Sequence, residues 1–234
     1  MGAALALKLA ANAVNAQGRH AEALTEFDVL LPVFVGAFGT DGLQTLALRL
    51  DRAHTLALVA RYAEAEAECA VVARTTDRGE DLSMALLTVS ARHGLVYALN
   101  GRDRYAEAEA LASETIASQA LRSGLLTAPR LMGPLYAILR LGLARSLTGL
   151  GRHEEALAEA ERADELRRDL ADGTGNRANG AGALIEATAL LGLGRAREAR
   201  VRAAAAHAEA AATFGTHHFR VAEARALLAR IDGS

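Results

Sequence analysis

The chain has few of the large side chains that many folds use to fill a core. Its 234 residues include no tryptophan and only 4% aromatic residues, although 51% of the residues are apolar. Alanine and leucine must therefore do most of the packing, and both favour α-helices over strands. Small side chains also let neighbouring helices approach closely. This composition predicts an all-α protein.

Cysteine, charge of one sign and long uncharged apolar runs are also scarce. The single cysteine, Cys69, cannot form an intramolecular disulfide. Lys8 and two nearby asparagines interrupt the early apolar run, so we predict no signal peptide and a cytoplasmic location. Arg140 and Arg145 interrupt the longest apolar stretch, which argues against a membrane span. A formal net charge of -2 gives no overall field for binding nucleic acid, so we expect no direct contact with it.

The chain does contain a short sequence motif that occurs five times. A glycine-like residue is followed by Arg and then by a Glu-Ala or similar pair that opens an alanine-rich helix. The copies begin at Gly18, Ala60, Gly101, Gly151 and Gly194, and their closing alanines are Ala23, Ala65, Ala108, Ala156 and Ala199. These alanines lie 42, 43, 48 and 43 residues apart. A nearly fixed period of this size is typical of a solenoid, in which each unit is a first helix, a left-handed turn and a second helix.

We therefore predict an α-solenoid of five helix-turn-helix repeats that forms a single domain over residues 1–234. The repeats cover approximately residues 3–39, 43–80, 82–121, 130–171 and 179–214. A last helix over residues 219–231 is expected to cap the stack, because the end of a solenoid must cover an apolar face. The segment from Ala120 to Tyr136 is rich in glycine and proline, so we expect an extended loop or an irregular helix start there.

The repeats resemble those of the tetratricopeptide repeat (TPR) family, in the longer variant of the kinesin light chain kind. The resemblance rests on Leu143, Ala144, Gly151 and Ala156 in repeat four, on Gly94, Tyr97, Gly101 and Ala108 in repeat three, and on the Tyr-Ala-Glu-Ala-Glu strings that begin at Tyr62 and Tyr105. The segments 37–41 and 213–217 are similar to that variant's connections between repeats. The resemblance implies a right-handed superhelix whose concave groove binds a peptide or a protein segment.

One position departs from the family pattern. It usually holds leucine, but here it would hold Arg52 in repeat two, His93 in repeat three and Glu186 in repeat five. Either the register slips, or polar groups lie near the core. A buried Arg or Glu without a partner is costly, so we favour a slipped register or partial exposure.

The family's groove positions predict which residues contact a ligand here. They are Lys8, Asn12, Asn15, Asp51, His54, Arg92, Leu141, Arg145, Leu184, Ile185, Thr188 and Leu191. The N-terminal half of this set is polar and the C-terminal half is mostly apolar. Lys8, Asn12 and Arg92 fall on positions of the carboxylate clamp of chaperone-binding members. Asp51 and Thr88 do not fit that clamp, so a solvated polar face is the favoured interpretation.

The leading functional hypothesis is a protein–protein interaction module, the docking or sensor part of a bacterial regulatory system. The first repeat begins within a few residues of Met1, so we expect either a longer regulator or a homodimer formed through this exposed repeat. The alternative is a receptor for a small ligand or a signalling peptide. An enzyme that uses His54, Arg92, His93 and Glu186 is the least favoured hypothesis.

No catalytic motif, cofactor or metal site is predicted. His207, His217 and His218 lie within a short stretch, but no further residue completes a ligand set. Cys69 lies within a second helix, where a structural thiol is favoured over a nucleophile.

Overall fold

The structure is a computed structural model that describes residues 2–77, 81–169, 180–216 and 218–233. Within these residues the chain forms twelve α-helices and no strand, which confirms the all-α prediction. The first helices of the five repeats are α1 (Gly2–Ala16), α3 (Leu43–Leu58), α5 (Leu82–Gly101), α8 (Pro129–Gly149) and α10 (Ala181–Gly192). The second helices are α2 (His20–Phe38), α4 (Tyr62–Thr76), α6 (Tyr105–Ile116), α9 (His153–Asp169) and α11 (Ala196–Phe214). A short helix, α7 (Gln119–Thr127), separates repeats three and four, and α12 (Phe219–Asp232) comes last.

The helices pack in two rows. Each second helix packs on the first helix of its own repeat and on the first helix of the next repeat. The first helices also contact one another in sequence, from α1 through α3, α5, α8 and α10 to α12. Among the described residues, no two second helices pack together. The first helices thus form the inner row of an α-solenoid, as the repeats predict, and the second helices form the outer row.

The repeated alanine is buried in all five repeats. Ala23, Ala65, Ala108, Ala156 and Ala199 are all at most 1% exposed. Each lies in the first two turns of its second helix. A larger side chain at these positions would force the two helices of a repeat apart, because protein cores are already closely packed. The alanine is therefore a packing requirement of the repeat.

Every turn between the two helices of a repeat contains one residue in the left-handed region. These residues are Gly18, Ala60, Asp103, Gly151 and Gly194, with φ between 58° and 82°. In repeat three the turn residue is therefore Asp103, whereas the sequence alignment used Gly101. Gly101 is the last residue of α5, where an added Cβ would come within 2.5 Å of the Tyr62 ring. The correct register of repeat three is shifted by two residues from the predicted one.

The segment between repeats three and four is helical through most of its length. The second helix of repeat three ends at Ile116, and α7 begins after Ser118, whose side-chain oxygen accepts a hydrogen bond from the backbone N–H of Leu121. Pro129 begins α8, a position where proline needs no backbone donor. Of the two alternatives expected for Ala120 to Tyr136, the extended loop is wrong, because the segment forms α7 and the start of α8, which contains Pro134.

Among the described residues, α5 is the one helix long and apolar enough to cross a membrane by length and composition. In the structure it is a core helix. Val89, Val96 and Leu99 are buried, and the helix packs against α3, α4, α6 and α8. α5 is apolar because neighbouring helices cover it on several sides. The predicted repeat limits at Glu80, Ala171 and Asn179 lie outside the described residues.

Candidate functional site

The left-handed turn residues put the five repeats in register. Six residues before the turn stand Asn12, His54, Tyr97, Arg145 and Thr188, which we call the inner polar row. All five side chains are half-buried, and each can donate or accept hydrogen bonds. Four of them are groove residues predicted from the sequence. Tyr97 was missed as a groove residue because the alignment on Gly101 displaced repeat three by two positions.

Arg92 lies on the opposite side of its helix from this row. Its Nη1 is 2.8 Å from Glu114 Oε1 on α6, and its Nη2 is 3.1 Å from Asp77 Oδ1 at the end of α4. Arg49 and Arg140 stand at the equivalent position, eleven residues before the turn, and also bond to carboxylates of second helices. Arg92 therefore belongs to the ion pairs that connect the inner row of helices to the outer row, and we do not include it in the proposed groove.

The polar N-terminal end of the predicted groove does come together. Lys8 Nζ lies 3.0 Å from Asp51 Oδ2, and Asn12 Nδ2 donates a hydrogen bond of 3.1 Å to the same oxygen. Asn15 Oδ1 lies 2.7 Å from Nδ1 of His20, at the start of α2. These side chains link α1 to α3 and to the start of α2, so their polar atoms already have partners within the solenoid.

Two histidines lie next to this end of the inner surface. The rings of His54 and His93 are 6.0 Å apart, and Nε2 of His54 and Nδ1 of His93 are buried without a hydrogen-bond partner among the described residues. Burial lowers the pKa of both rings, and that of His93 falls to about 3 with smaller contributions from His54 and Arg220. Both rings are therefore neutral near pH 7. Sequence reasoning counted His93 as a core position and missed it as a residue of the inner surface.

Cys69 packs behind these histidines. A Cβ on Gly94 would come within 2.5 Å of its Sγ and within 3.2 Å of His54 Nε2, so glycine is needed for this close packing. Burial raises the pKa of the Cys69 thiol to about 12. A thiol with such a pKa is a poor nucleophile at neutral pH, which supports the structural role expected from the sequence.

The middle of the inner surface brings repeats three and four together with α12. The guanidinium of Arg145 lies 5.9 Å from the centre of the Tyr97 ring, and its Nη2 is 3.8 Å from Glu223 Oε1 on α12. Burial raises the pKa of Tyr97, and the nearby cations Arg145 and Arg220 oppose that rise. Arg220 and Glu223 belong to the helix predicted as a cap, and nothing in the local sequence indicates that they reach this surface.

The apolar C-terminal half of the predicted groove is used for internal packing. Leu141 is 5% exposed and packs with alanines of α9, and Ile185 packs against the same cluster. Leu184 and Leu191 pack in a cluster that includes Leu227 of α12. Because their own solenoid already covers these side chains, they supply little free apolar surface for a partner.

The polar residues at the expected leucine position have partners. Arg52 Nε lies 2.6 Å from Asp28, and its Nη1 lies 3.0 Å from Glu68. Glu186 has only 3% of its side chain exposed, and its Oε2 lies 2.9 Å from Nε of Arg202. Both residues stand eight positions before the turn, so their register was correct, whereas His93 stands ten positions before it. The position eight residues before the turn accepts a charged residue because the second helix of the same repeat supplies the opposite charge, from Glu68 in repeat two and from Arg202 in repeat five.

Two cavities, of about 350 and 480 Å³, lie away from the inner polar row, between α9, α10 and α11. Both are lined by Glu161, Glu186 and Arg202. Within the described part of the chain, no three His, Cys, Asp or Glu side chains lie together as metal ligands would. His217, one of the histidines considered in the sequence, lies outside the described residues.

These helices define a TPR-like α-solenoid. A solved structure from Podosopora anserina matches with a TM-score of 0.58. It is described as kinesin light chain nearly identical TPR-like repeats. The match covers 89% of this chain and 95% of that chain at 17% sequence identity, so it shows the fold alone. No family model and no curated protein matches the sequence.

Proposed function

We propose that the protein is a binding module that holds a segment of a partner protein along the inner polar row. The supporting observation is the repetition of a half-buried hydrogen-bonding side chain at one position of all five repeats, from Asn12 to Thr188. A bound segment presents backbone donors and acceptors at regular intervals. A row with one polar side chain per repeat can form hydrogen bonds with such a ligand, whereas a row of apolar side chains could not.

The setting that we propose is the docking or sensor part of a bacterial regulatory system in the cytoplasm. The homodimer predicted from the sequence stays a prediction. It is supported by α1, in which Leu7 is 54% exposed and Leu9 is 70% exposed. Exposed apolar surface of this kind often marks a contact with another chain.

The alternative is a receptor for a small ligand or a signalling peptide. It is favoured by the contact between Arg145 of repeat four and the ring of Tyr97 of repeat three, near the middle of the inner surface. An enzyme stays the least favoured hypothesis, because Arg92 pairs with Asp77 and Glu114 on the side of α5 away from these residues.

A display selection of random peptides on the purified chain tests the proposal. Peptides that bind should lose about tenfold or more in affinity for an Arg145→Ala variant, because the guanidinium would no longer hold the segment. Arg197→Ala is the matched control, since Arg197 is exposed on the outer row. Affinities are measured by fluorescence anisotropy with each selected peptide.

Two results would count against this assignment. Equal binding of selected peptides to wild type and Arg145→Ala would remove the inner polar row as the binding surface. A selection that yields no binding peptide would favour the small-ligand receptor, which a thermal-shift screen of metabolites then tests.

A further inference from the structure

An ion pair bridges neighbouring second helices at two places on the outer surface. Glu66 stands six residues after the turn of repeat two, and its Oε1 lies 2.7 Å from Nη1 of Arg104, which directly precedes α6. Glu109 stands at the same position in repeat three and pairs with Arg152, which directly precedes α9. The first pair connects α4 to α6, and the second connects α6 to α9.

The equivalent position between α9 and α11 has a leucine in place of the carboxylate. Leu157 stands six residues after the turn of repeat four, and Arg195 pairs with Glu198 of α11 at 2.7 Å. Repeat one also has a leucine there, Leu24, but Leu24 is 5% exposed in a core cluster, whereas Leu157 is half-buried. The cavities of about 350 and 480 Å³ lie at this place. We call the space between α9 and α11, above Glu186 and Leu190 of α10, the outer groove.

The outer groove has an apolar level and an acidic level. The apolar level consists of Leu157 on α9, Leu190 on α10 and Val201 on α11. The acidic level begins four residues away on the first two of these helices, with Glu161 on α9 and Glu186 on α10. Four residues of an α-helix span about 6 Å. The two levels are therefore about one helical turn apart.

The acidic level carries more negative than positive charge. Among the described residues it is lined by four carboxylates and two guanidiniums, those of Glu161, Asp164, Glu165, Glu186, Arg168 and Arg202. Burial raises the pKa of Glu186, Arg202 opposes this rise, and Asp164 and Glu161 add to it. The carboxylates therefore repel one another in spite of Arg202, and a further cation from outside would relieve this repulsion.

We propose that the outer groove binds a helical segment of a partner protein that carries an apolar side chain and, one turn away, a lysine or an arginine. The apolar side chain packs on Leu157 and on Val201, which is 69% exposed, and the cation lies among the carboxylates of the acidic level. A helix fits because the groove runs between two helices over a third. This second surface is independent of the inner polar row and of the proposed function.

Three synthetic peptides added to the full-length chain test the proposal. Each is a fluorescein-labelled, alanine-based helix of about 16 residues, a length at which such peptides form helix in water. One carries leucine and lysine four residues apart, the second carries leucine and glutamate, and the third carries serine and lysine. Fluorescence anisotropy should show that the leucine–lysine peptide binds about tenfold or more tightly than either of the others. Equal binding of all three, or no binding of the leucine–lysine peptide, would overturn the proposal.

Variants of exposed side chains locate the binding. Glu161→Lys changes the acidic level and Val201→Asp changes the apolar level, and each should weaken binding of the leucine–lysine peptide about tenfold. Glu154→Lys on α9 and Val29→Asp on α2 are the matched controls, since both residues are exposed and do not line the groove. Circular dichroism verifies that all four variants are folded. Binding that survives both groove variants, or that falls equally in the controls, would contradict the assignment.

A third variant closes the outer groove. Leu157→Glu supplies the missing carboxylate, which should pair with Arg195 as Glu109 pairs with Arg152, and the peptide should then lose about tenfold in affinity. Unchanged affinity of a folded Leu157→Glu variant would count against the groove. If this variant does not fold, the two exposed groove variants still decide the question.

Two further measurements separate the possible occupants and the two proposals. Self-association of the full-length chain in analytical ultracentrifugation, if Glu161→Lys abolishes it, would assign the outer groove to a second copy and overturn the partner class. Arg145→Ala should leave binding of the leucine–lysine peptide unchanged, because Arg145 lies on the inner surface. Failure of the inner polar row as a binding site would therefore leave the outer groove intact, and the reverse also holds.

Discussion

Repeats two and five have an ion pair at the same two helix positions, but the acidic and the basic residue are exchanged. Eight residues before and eight residues after the turn, repeat two has Arg52 and Glu68, and repeat five has Glu186 and Arg202. In these two repeats the contact is made by complementary charges, and the fold accepts either order. The surroundings differ, however. Glu68 also binds Arg49, whereas Glu186 has the like-charged Asp164 as a neighbour, which together with burial raises the pKa of Glu186.

Removing the basic partner in repeat five should have the largest effect. Arg202→Ala leaves the Glu186 carboxylate buried without its cation, so we expect a loss of about 2–3 kcal/mol in the free energy of unfolding at pH 7. Glu68→Ala in repeat two should cost less, about 1–2 kcal/mol, because Arg52 keeps Asp28. Urea unfolding followed by circular dichroism measures both.

The double variant Arg202→Ala, Glu186→Leu is the control for this prediction. It removes the orphaned charge and should recover most of the loss, since Leu95 and Leu143 stand at the equivalent position in repeats three and four. A double variant as unstable as Arg202→Ala would show that the charge pair is not the cause.

His93 distinguishes repeat three from three other repeats at a second position. Ten residues before the turn, repeats two, four and five have Leu50, Leu141 and Leu184. The folded pKa of His93 is about 3, below the ordinary value of 6.5, so the unfolded chain takes up this proton first as the pH falls. The contribution of His93 to stability is therefore complete above about pH 6.5 and declines as the pH falls toward 3.

Replacing this histidine with the common leucine should flatten the pH dependence of stability. For His93→Leu we expect the loss in free energy of unfolding between pH 7 and pH 5 to shrink by about 1–2 kcal/mol. The groups facing His93 are His54 on α3 and Arg220 on α12, so both are kept. Urea titrations at several pH values provide the measurement, and an unchanged slope would contradict the assignment.

The turns give the smallest expected effect. Ala60 in repeat two has φ of 60°, whereas Gly194 in repeat five has φ of 73°. Left-handed backbone is strained for alanine but not for glycine. Ala60→Gly should therefore raise the free energy of unfolding by about 0.5–1 kcal/mol, and the reciprocal Gly194→Ala should lower it by about 1 kcal/mol. Melting temperatures that move in the same direction for both variants would contradict this reading of the turn.

The sequence predicted the repeat and much of the inner polar row. Asn12, His54, Arg145 and Thr188 were predicted as groove residues because the resemblance to the TPR family implies that these positions of the first helices line the groove. Tyr97 and His93 were missed as groove residues for one local reason. Either Gly101 or Asp103 can end the first helix of repeat three, and glycine is the usual choice for a left-handed turn.

The sequence by itself determined the properties that depend on neighbouring residues: the helices, their turns, the buried alanines and the order of the repeats. Only the tertiary structure decided that Arg92 pairs with second helices, that Leu141 and Leu191 are used internally, and that Glu223 meets Arg145. The physical reason is the curvature of the solenoid. Small rotations between successive repeats add up along the chain, and their sum decides which residues face each other across the superhelix.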